Sequence, residues 1–214
     1  MKIIGIMPIK LQNERLPGKN TKLLGDKPLL QYALDNLLAT KLCDEIYVYC
    51  SDDSIKDYLP NGISFLKRDK SLDLPTSNFT QIFSSFSNQI NADIYVFMHA
   101  TAPFVTIDTM TECINAVKDG KYDSSFCATI IQDFLWQDNR PLNFDASNLP
   151  RSQDLKIIYR ETSGIYVFKK EVFAKLKRRI GNNPYIKVVP FKESIDINNP
   201  EDFSLAEVFV NIDL

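Results

Sequence analysis

The chain has one histidine, one tryptophan and four cysteines in 214 residues, and each scarcity narrows its chemistry. No second histidine accompanies His99 and no serine motif lies near it, so a hydrolase triad is not expected. Cys43, Cys50, Cys113 and Cys127 show no CxxC spacing and sit in apolar segments. That pattern argues against zinc and disulfides, and fits free core thiols in a reducing compartment. Twenty-five Lys and Arg face twenty-seven Asp and Glu, a net charge of −2 with a pI near 5.5. A nucleic-acid polymer is therefore not expected as a partner, because a phosphate backbone requires a broad basic face. No long apolar segment is present, and Met1 runs into a strand-like stretch without a basic n-region or cleavage site. Neither membrane nor export targeting is expected, and the expected location is the cytoplasm. Repeats and low-complexity tracts are also missing. What remains is 44% hydrophobic, enough for one substantial core, and one domain over residues 1–214 is the expectation.

Apolar strand-like runs alternate with helical patterns. The expected strands are Ile3–Ile9, Glu45–Ser51, Ile63–Lys67, Asp93–Met98, Ser124–Ile131, Gly164–Phe168 and Ile186–Pro190. The expected helices are Leu29–Thr40, Asn78–Ile90, Ile107–Asp119 and Pro200–Val210, the last opened by a proline and two acids. This alternation predicts an α/β fold, with a parallel-dominated sheet and helices on both faces. One segment breaks the rhythm. Residues 132–158 show neither period yet contain Phe134, Leu135, Trp136 and Phe144, too apolar for a disordered linker. An excursion that buries those groups against a second subunit is the reading adopted.

The most informative stretch is the start. Ile3–Ile9 reads as a buried strand, and it enters a loop with Lys10, Arg15, Lys19, Asn20 and Lys22 around the rigid corner Leu16-Pro17-Gly18. In open parallel sheets, ligands bind at this carboxyl end of the strands. Five cations (Lys10, Arg15, Lys19, Lys22, Lys27) gathered in a slightly acidic chain point to a polyphosphate. Lys19 is expected to neutralise phosphate charge rather than support the fold. Near the other end, Asp196 and Asn198 are spaced so that both side chains share one face of an extended segment. Magnesium commonly takes one or two such oxygen ligands and completes its octahedron with water and phosphate. His99 follows an apolar strand and reads equally well as a site residue or a satisfied structural group.

The initial loop resembles the acylneuraminate cytidylyltransferase family, enzymes that join CMP from CTP to acidic sugars. Lys10, Pro17, Lys19 and Asn20 match its first block, and Arg15–Lys19 is also similar to related nucleotidyltransferases of surface-polysaccharide pathways. The resemblance implies a Rossmann-like three-layer nucleotidyltransferase fold with a mixed, mostly parallel sheet and a protruding dimerisation arm at 132–158. It implies that Lys10, Arg15 and Lys19 act on the triphosphate. Asn13, Asn20, Arg68, Thr76 and Ser77 would lie around the nucleotide. His99 and Thr101, in the His99–Pro103 turn, would face the acceptor with Arg160, Thr162 and Tyr166. Arg151 and Gln153 lie near an arginine that the family offers to the neighbouring subunit. Asp196 and Asn198 would hold Mg2+, or Mn2+. The implied partners are CTP, an acidic sugar and a second copy of the chain, in surface glycan biosynthesis. The chain departs from the family pattern in four places: Lys10 for Arg, Leu11-Gln12-Asn13 for a glycine-rich centre, Thr162 for Asn, and Asn198 for Asp. Two alternatives stay open on that account, a different small acid or phosphorylated acceptor, and a nucleotide-binding homologue without turnover.

Overall fold

The computed structural model describes residues 1–212; Asp213 and Leu214, the last two of the expected unit, lie outside the described residues. In chain order the strands are β1 (Ile3–Ile9), β2 (Leu23–Leu24), β3 (Lys27–Pro28), β4 (Glu45–Cys50), β5 (Ser64–Lys67), β6 (Ile94–Met98), β7 (Ser124–Ile131), β8 (Trp136–Gln137), β9 (Arg140–Pro141), β10 (Ile158–Lys169) and β11 (Pro184–Val188). The helices are α1 (Leu29–Thr40), α2 (Phe79–Ser87), α3 (Ile107–Lys118), α4 (Lys170–Leu176) and α5 (Pro200–Asn211). Seven strands form one sheet in the order β11-β7-β10-β6-β1-β4-β5. β1 runs parallel to β4 and β6, β4 to β5, and β11 to β7, while β10 alone is antiparallel to both of its neighbours. This is the mixed, mostly parallel sheet expected from the sequence.

β1 is apolar throughout because both of its faces are covered. On one face Ile3, Val48 and Val96 meet Leu30, Leu34 and Leu37 of α1 and Met110, Ile114 and Val117 of α3. Gly5 lets α1 come close, since a Cβ there would stand 2.9 Å from the Leu37 side chain. The other face is aromatic. Phe83 of α2 packs edge-on against Tyr95, Phe168 and Phe173, with centroids 4.6 to 5.0 Å apart. A smaller cluster joins Leu24 and Leu29 to Ile195, Ile197, Phe203 and Ala206, and so seats α5 beside the β2–β3 hairpin.

Several boundaries differ from expectation, each for a local reason. α2 begins at Phe79 because Asn78 and Gln81 form a reciprocal capping box, which also leaves Ser77 outside the helix. β10 starts at Ile158 rather than Gly164; its outer half is exposed and polar, so it lacks an apolar signal, and its pairing with β7 slips between Glu161 and Tyr166. β11 is Pro184–Val188, two residues earlier than expected, and Pro190 beyond it cannot donate to a ladder. α4 was not expected: its seven residues bury only Val172 and Phe173. Within 132–158, β8 and β9 form a hairpin whose turn residues Asp138 and Asn139 have φ of 49° and 61°. Phe134 and Trp136 pack edge-on against Phe144, yet Trp136 stays 59% exposed. Among the described residues no helix is long and apolar enough to cross a membrane.

After β1 the chain moves outward to β4 and β5, then returns to β6 on β1's other flank. The loops after β1 and β6 therefore diverge, and a crevice opens at the carboxyl edge of the sheet.

Candidate active site

The loop after β1 turns at Gly18, whose φ of 66° a side chain would disfavour, and a single 3-10 turn then buries Lys19 and Asn20. The Lys19 ammonium donates to the Ile197 carbonyl at 2.7 Å. Burial pulls the Lys19 pKa below its ordinary value, against the nearby Asp196 carboxylate. Asn20 donates to the Lys10 carbonyl at 2.9 Å and so ties the two ends of the loop together. Lys10, Asn13, Arg15 and Lys19 line a cleft of about 290 Å³ with Pro75 and Asn198. Lys22 and Lys27 do not join them. Lys22 lies over the Phe203 ring, and Lys27 pairs with Asp35 at 2.5 Å. Three of the five expected cations thus face the cleft; the other two hold local structure.

Asp196 and Asn198 sit on the extended segment between β11 and α5, which is pinned where the Ile197 N–H donates to the Thr101 carbonyl at 2.8 Å. Asn198 is held on both sides. Its amide nitrogen donates to Asp196 Oδ2 at 3.0 Å, and its oxygen accepts from Arg15 Nη2 at 3.0 Å. Asp202, by contrast, is engaged as a cap, accepting from the backbone N–H groups of Asn198 and Asn199. Asp196 also lines a second cleft, of about 380 Å³, with Arg160, Glu161 and Thr162. The two clefts meet at this segment, which contributes Asn198 to one and Asp196 to the other.

Arg68 follows β5 and is buried. Its Nη2 donates to the Ile9 carbonyl at 2.9 Å and pairs with Asp73 at 2.5 Å, while the Ser51 hydroxyl donates to the other Asp73 oxygen. Thr76 and Ser77 lie on the exposed turn before α2, beside Pro75 of the cleft. Among the described residues, three buried side-chain polar atoms lack any partner: Asn13 Oδ1, Arg68 Nε and Asp196 Oδ1.

On the β6 side, His99 stands edge-on to Phe97 and Tyr166. His99 is half-buried, and desolvation by its packed surroundings, followed by the Arg179 guanidinium, lowers its pKa from 6.5 to about 4, so it is neutral at neutral pH. Tyr166 is buried with its pKa raised, chiefly by that burial. Its hydroxyl donates to Glu161 and accepts from Arg179 at 2.9 Å. The Thr162 hydroxyl is turned inward to the Cys127 carbonyl at 3.1 Å, and Arg160 Nε donates to Thr129 at 3.1 Å. Arg151 and Gln153 stand apart from both clefts: Arg151 forms a two-point pair with Asp154, and both are exposed on the excursion.

Sequence reasoning missed Asp73, Glu161 and Arg179. Arg179 sits in the basic run Lys175–Arg179, which reads as a solvated surface, and no spacing links it to Tyr166. A third cleft, of about 360 Å³, lies between α2 and α4 near Tyr95 and Lys170, at the opposite edge from the crevice.

The cytidylyltransferase family model matches residues 4–209. N-acylneuraminate cytidylyltransferase A of Danio rerio is 25% identical over 90% of this chain and 47% of its own length, so the chain spans about half of that relative. The CMP-N,N'-diacetyllegionaminic acid synthase of Legionella pneumophila is 25% identical over 99% of this chain and 97% of its own. The pseudaminic acid cytidylyltransferase of Campylobacter jejuni is 23% identical over the same shares. Among solved structures, a CMP:2-keto-3-deoxy-manno-octonic acid synthetase complexed with CTP superposes with a TM-score of 0.73 at 14% identity, over 100% of both chains. With residues 4–209 matched and the fold shared from end to end, the chain belongs to the cytidylyltransferase family.

Proposed function

We propose that this chain transfers CMP from CTP to an acidic sugar of the nonulosonic, sialic-acid-like class and releases pyrophosphate, for surface glycan biosynthesis. One observation supports the reading above the rest. Asn13 Oδ1, Arg68 Nε and Asp196 Oδ1 come from three separate loops at one sheet edge, and each is buried without a partner among the described residues. A buried unsatisfied polar atom costs about 1–3 kcal/mol, so three at one edge are best explained by a bound ligand. Asn13 Oδ1 and Arg68 Nε offer an acceptor and a donor, which match the amine and the ring acceptors of cytosine.

In the reaction the acceptor hydroxyl attacks the α-phosphorus and the bond to pyrophosphate breaks. Lys10, Arg15 and Lys19 line the cleft where negative charge would build on the triphosphate and leaving group, and fixed cations there lower the barrier. Neutral His99 donates or accepts a hydrogen bond to the acceptor. Arg160 has no carboxylate partner among the described residues and takes the acceptor's carboxylate.

A magnesium or manganese ion suits the free Asp196 Oδ1, and when bound it would supply a hard Lewis acid to phosphate oxygens. Asn198 fits less readily, because Arg15 already holds its oxygen. Among the described residues no cluster of three or more His, Cys, Asp or Glu could hold a metal by itself, so CTP would have to complete the site. The engaged Asn198 is also the observation that favours the second reading, a nucleotide-binding homologue without turnover.

We assign the chain to the cytoplasm as one domain and a homodimer, with exposed Trp136 and its neighbours in 132–158 covered by a second copy. Arg151 and Gln153 would then serve the partner's site. Thermal shift tests the nucleotide assignment: CTP with magnesium should raise the melting temperature more than ATP or GTP. Equal shifts for the three would defeat the cytidylyl reading.

A further inference from the structure

Two arginines, Arg160 on β10 and Arg179 on the loop before β11, lie near the crevice, and they differ in charge compensation. Arg160 has no carboxylate partner among the described residues, and its Nε donates to Thr129. Arg179 has one. It pairs with Glu161 Oε1 at 3.2 Å, donates to the Tyr166 hydroxyl at 2.9 Å, and its guanidinium carbon lies 3.6 Å from the centre of the Tyr166 ring. The Tyr166 hydroxyl donates in turn to Glu161, which closes a three-membered network. Arg179 Nη1 is left with one long approach, 3.4 Å, to His99 Nε2.

This network is held from outside the crevice. Arg179 rides on the loop between α4 and β11. Gly181 N donates to the Ser124 hydroxyl at 2.8 Å, and Asn182 N and Asn183 N donate to Asp123 Oδ2 at 2.8 and 3.0 Å. A Cβ at Gly181 would stand 2.2 Å from Asp123, so the loop sits tightly on its anchor. Stacking on Tyr166 then fixes the guanidinium plane. A group held this way is a preorganised recognition element rather than a loose surface charge.

We infer that Arg179 and Glu161 together form the subsite for the uncharged, hydroxyl- and amide-bearing tail of the acceptor, and that this pair selects among acidic sugars. The inference rests on the acidic-sugar transfer proposed above. A compensated pair has no net charge to attract a carboxylate, and Glu161 repels one. What it presents side by side are guanidinium N–H donors and carboxylate lone pairs, the complement of a hydroxyl or an acylamino group. Glu161 lines the same cleft as Asp196 and Arg160, and Arg179 adjoins that cleft through its 3.2 Å contact with Glu161. The relatives' names carry such groups: acylneuraminate and diacetyllegionaminic acid bear acylamino substituents, whereas 3-deoxy-manno-octulosonate bears hydroxyls and no acylamino group.

The test measures pyrophosphate release from CTP by the wild type, Arg179→Met, Glu161→Gln and Arg160→Met. Each is assayed with N-acetylneuraminate and with 3-deoxy-manno-octulosonate. Arg179→Met and Glu161→Gln should each change the ratio of kcat/KM between the two acceptors by at least about tenfold, because losing hydrogen bonds to one tail costs that acceptor alone. The change should lie in the acceptor KM, with the KM for CTP unchanged. Arg160→Met should lower both acceptors alike. Glu161 is partly exposed, so its amide variant keeps the fold even if Arg179→Met does not. A ratio within twofold of wild type in Glu161→Gln would overturn the inference while leaving the transfer reading intact. A wild type that uses neither acceptor nor any other acidic sugar would overturn both.

Discussion

The Lys19 ammonium donates a 2.7 Å hydrogen bond to the Ile197 carbonyl, joining the loop after β1 to the segment that bears Asp196 across 178 positions of sequence. The expectation that Lys19 serves phosphate alone is therefore revised, because it also holds two site segments together. Lys19→Ala should lose about 1 kcal/mol of stability from the stranded carbonyl and lower kcat/KM about 10²-fold or more. Lys19→Met keeps the aliphatic stem and removes a buried charge. Its turnover should fall as far, with a melting temperature nearer to wild type. Initial rates and thermal melts on both variants separate the two roles, and full turnover in either removes Lys19 from the site.

Arg68 gives a second, opposite case. Its guanidinium is buried against Asp73 and the Ile9 carbonyl, so Arg68→Ala strands a carboxylate beside a strand end. The expected cost is about 3 kcal/mol or more, measured by urea unfolding. Pairing the change with Asp73→Asn should recover part of it, whereas preference for CTP over GTP should not return. Recovery of that preference would assign Arg68 to the fold alone.

The pKa of His99, lowered from 6.5 to about 4, makes a prediction with a definite sign. Between those values the unfolded chain binds the proton that the folded chain refuses. The stability from neutral His99 is thus complete above about pH 6.5 and is lost as pH falls toward 4. Urea unfolding at pH 7 and pH 5 should show a larger loss for wild type than for His99→Gln. Equal losses would mean that the ring titrates normally.

Much of the fold was legible in the sequence, because it rests on long apolar periods. β1 and β7 match their expected bounds, and α1 lies where Leu29, Leu30, Ala33, Leu34 and Leu37 trace one face. The cationic loop was legible too, since Lys10, Arg15 and Lys19 cluster within one connection. What stayed hidden depends on long-range contact. Asp73 matters because Arg68 turns back under β1, and Glu161 and Arg179 matter because a pinned loop crosses to Tyr166. α4 was hidden for a different reason: two buried residues make no period. The outer half of β10 is polar because it borders the crevice, and a strand with little core to face leaves no alternation to read.

The engaged Asn198 leads to a metal prediction. One free carboxylate oxygen should bind magnesium weakly without nucleotide, and affinity should rise when CTP adds phosphate oxygens. Asn198→Asp should tighten free-metal binding in calorimetry and draw Arg15 into an ion pair. Asp196→Ala should abolish magnesium-dependent turnover with the fold intact by circular dichroism. Full activity in that variant would place the metal elsewhere.

Pyrophosphate release from CTP, followed across a panel of acidic sugars with magnesium present, tests the central claim most directly. The account predicts stoichiometric release of pyrophosphate with formation of a CMP-sugar, for at least one nonulosonic or related acid. It also predicts none with ATP, GTP or neutral sugars. Tight CTP binding with no release for any acceptor, and release restored in Asn198→Asp, would contradict it and establish a nucleotide-binding protein that has lost turnover.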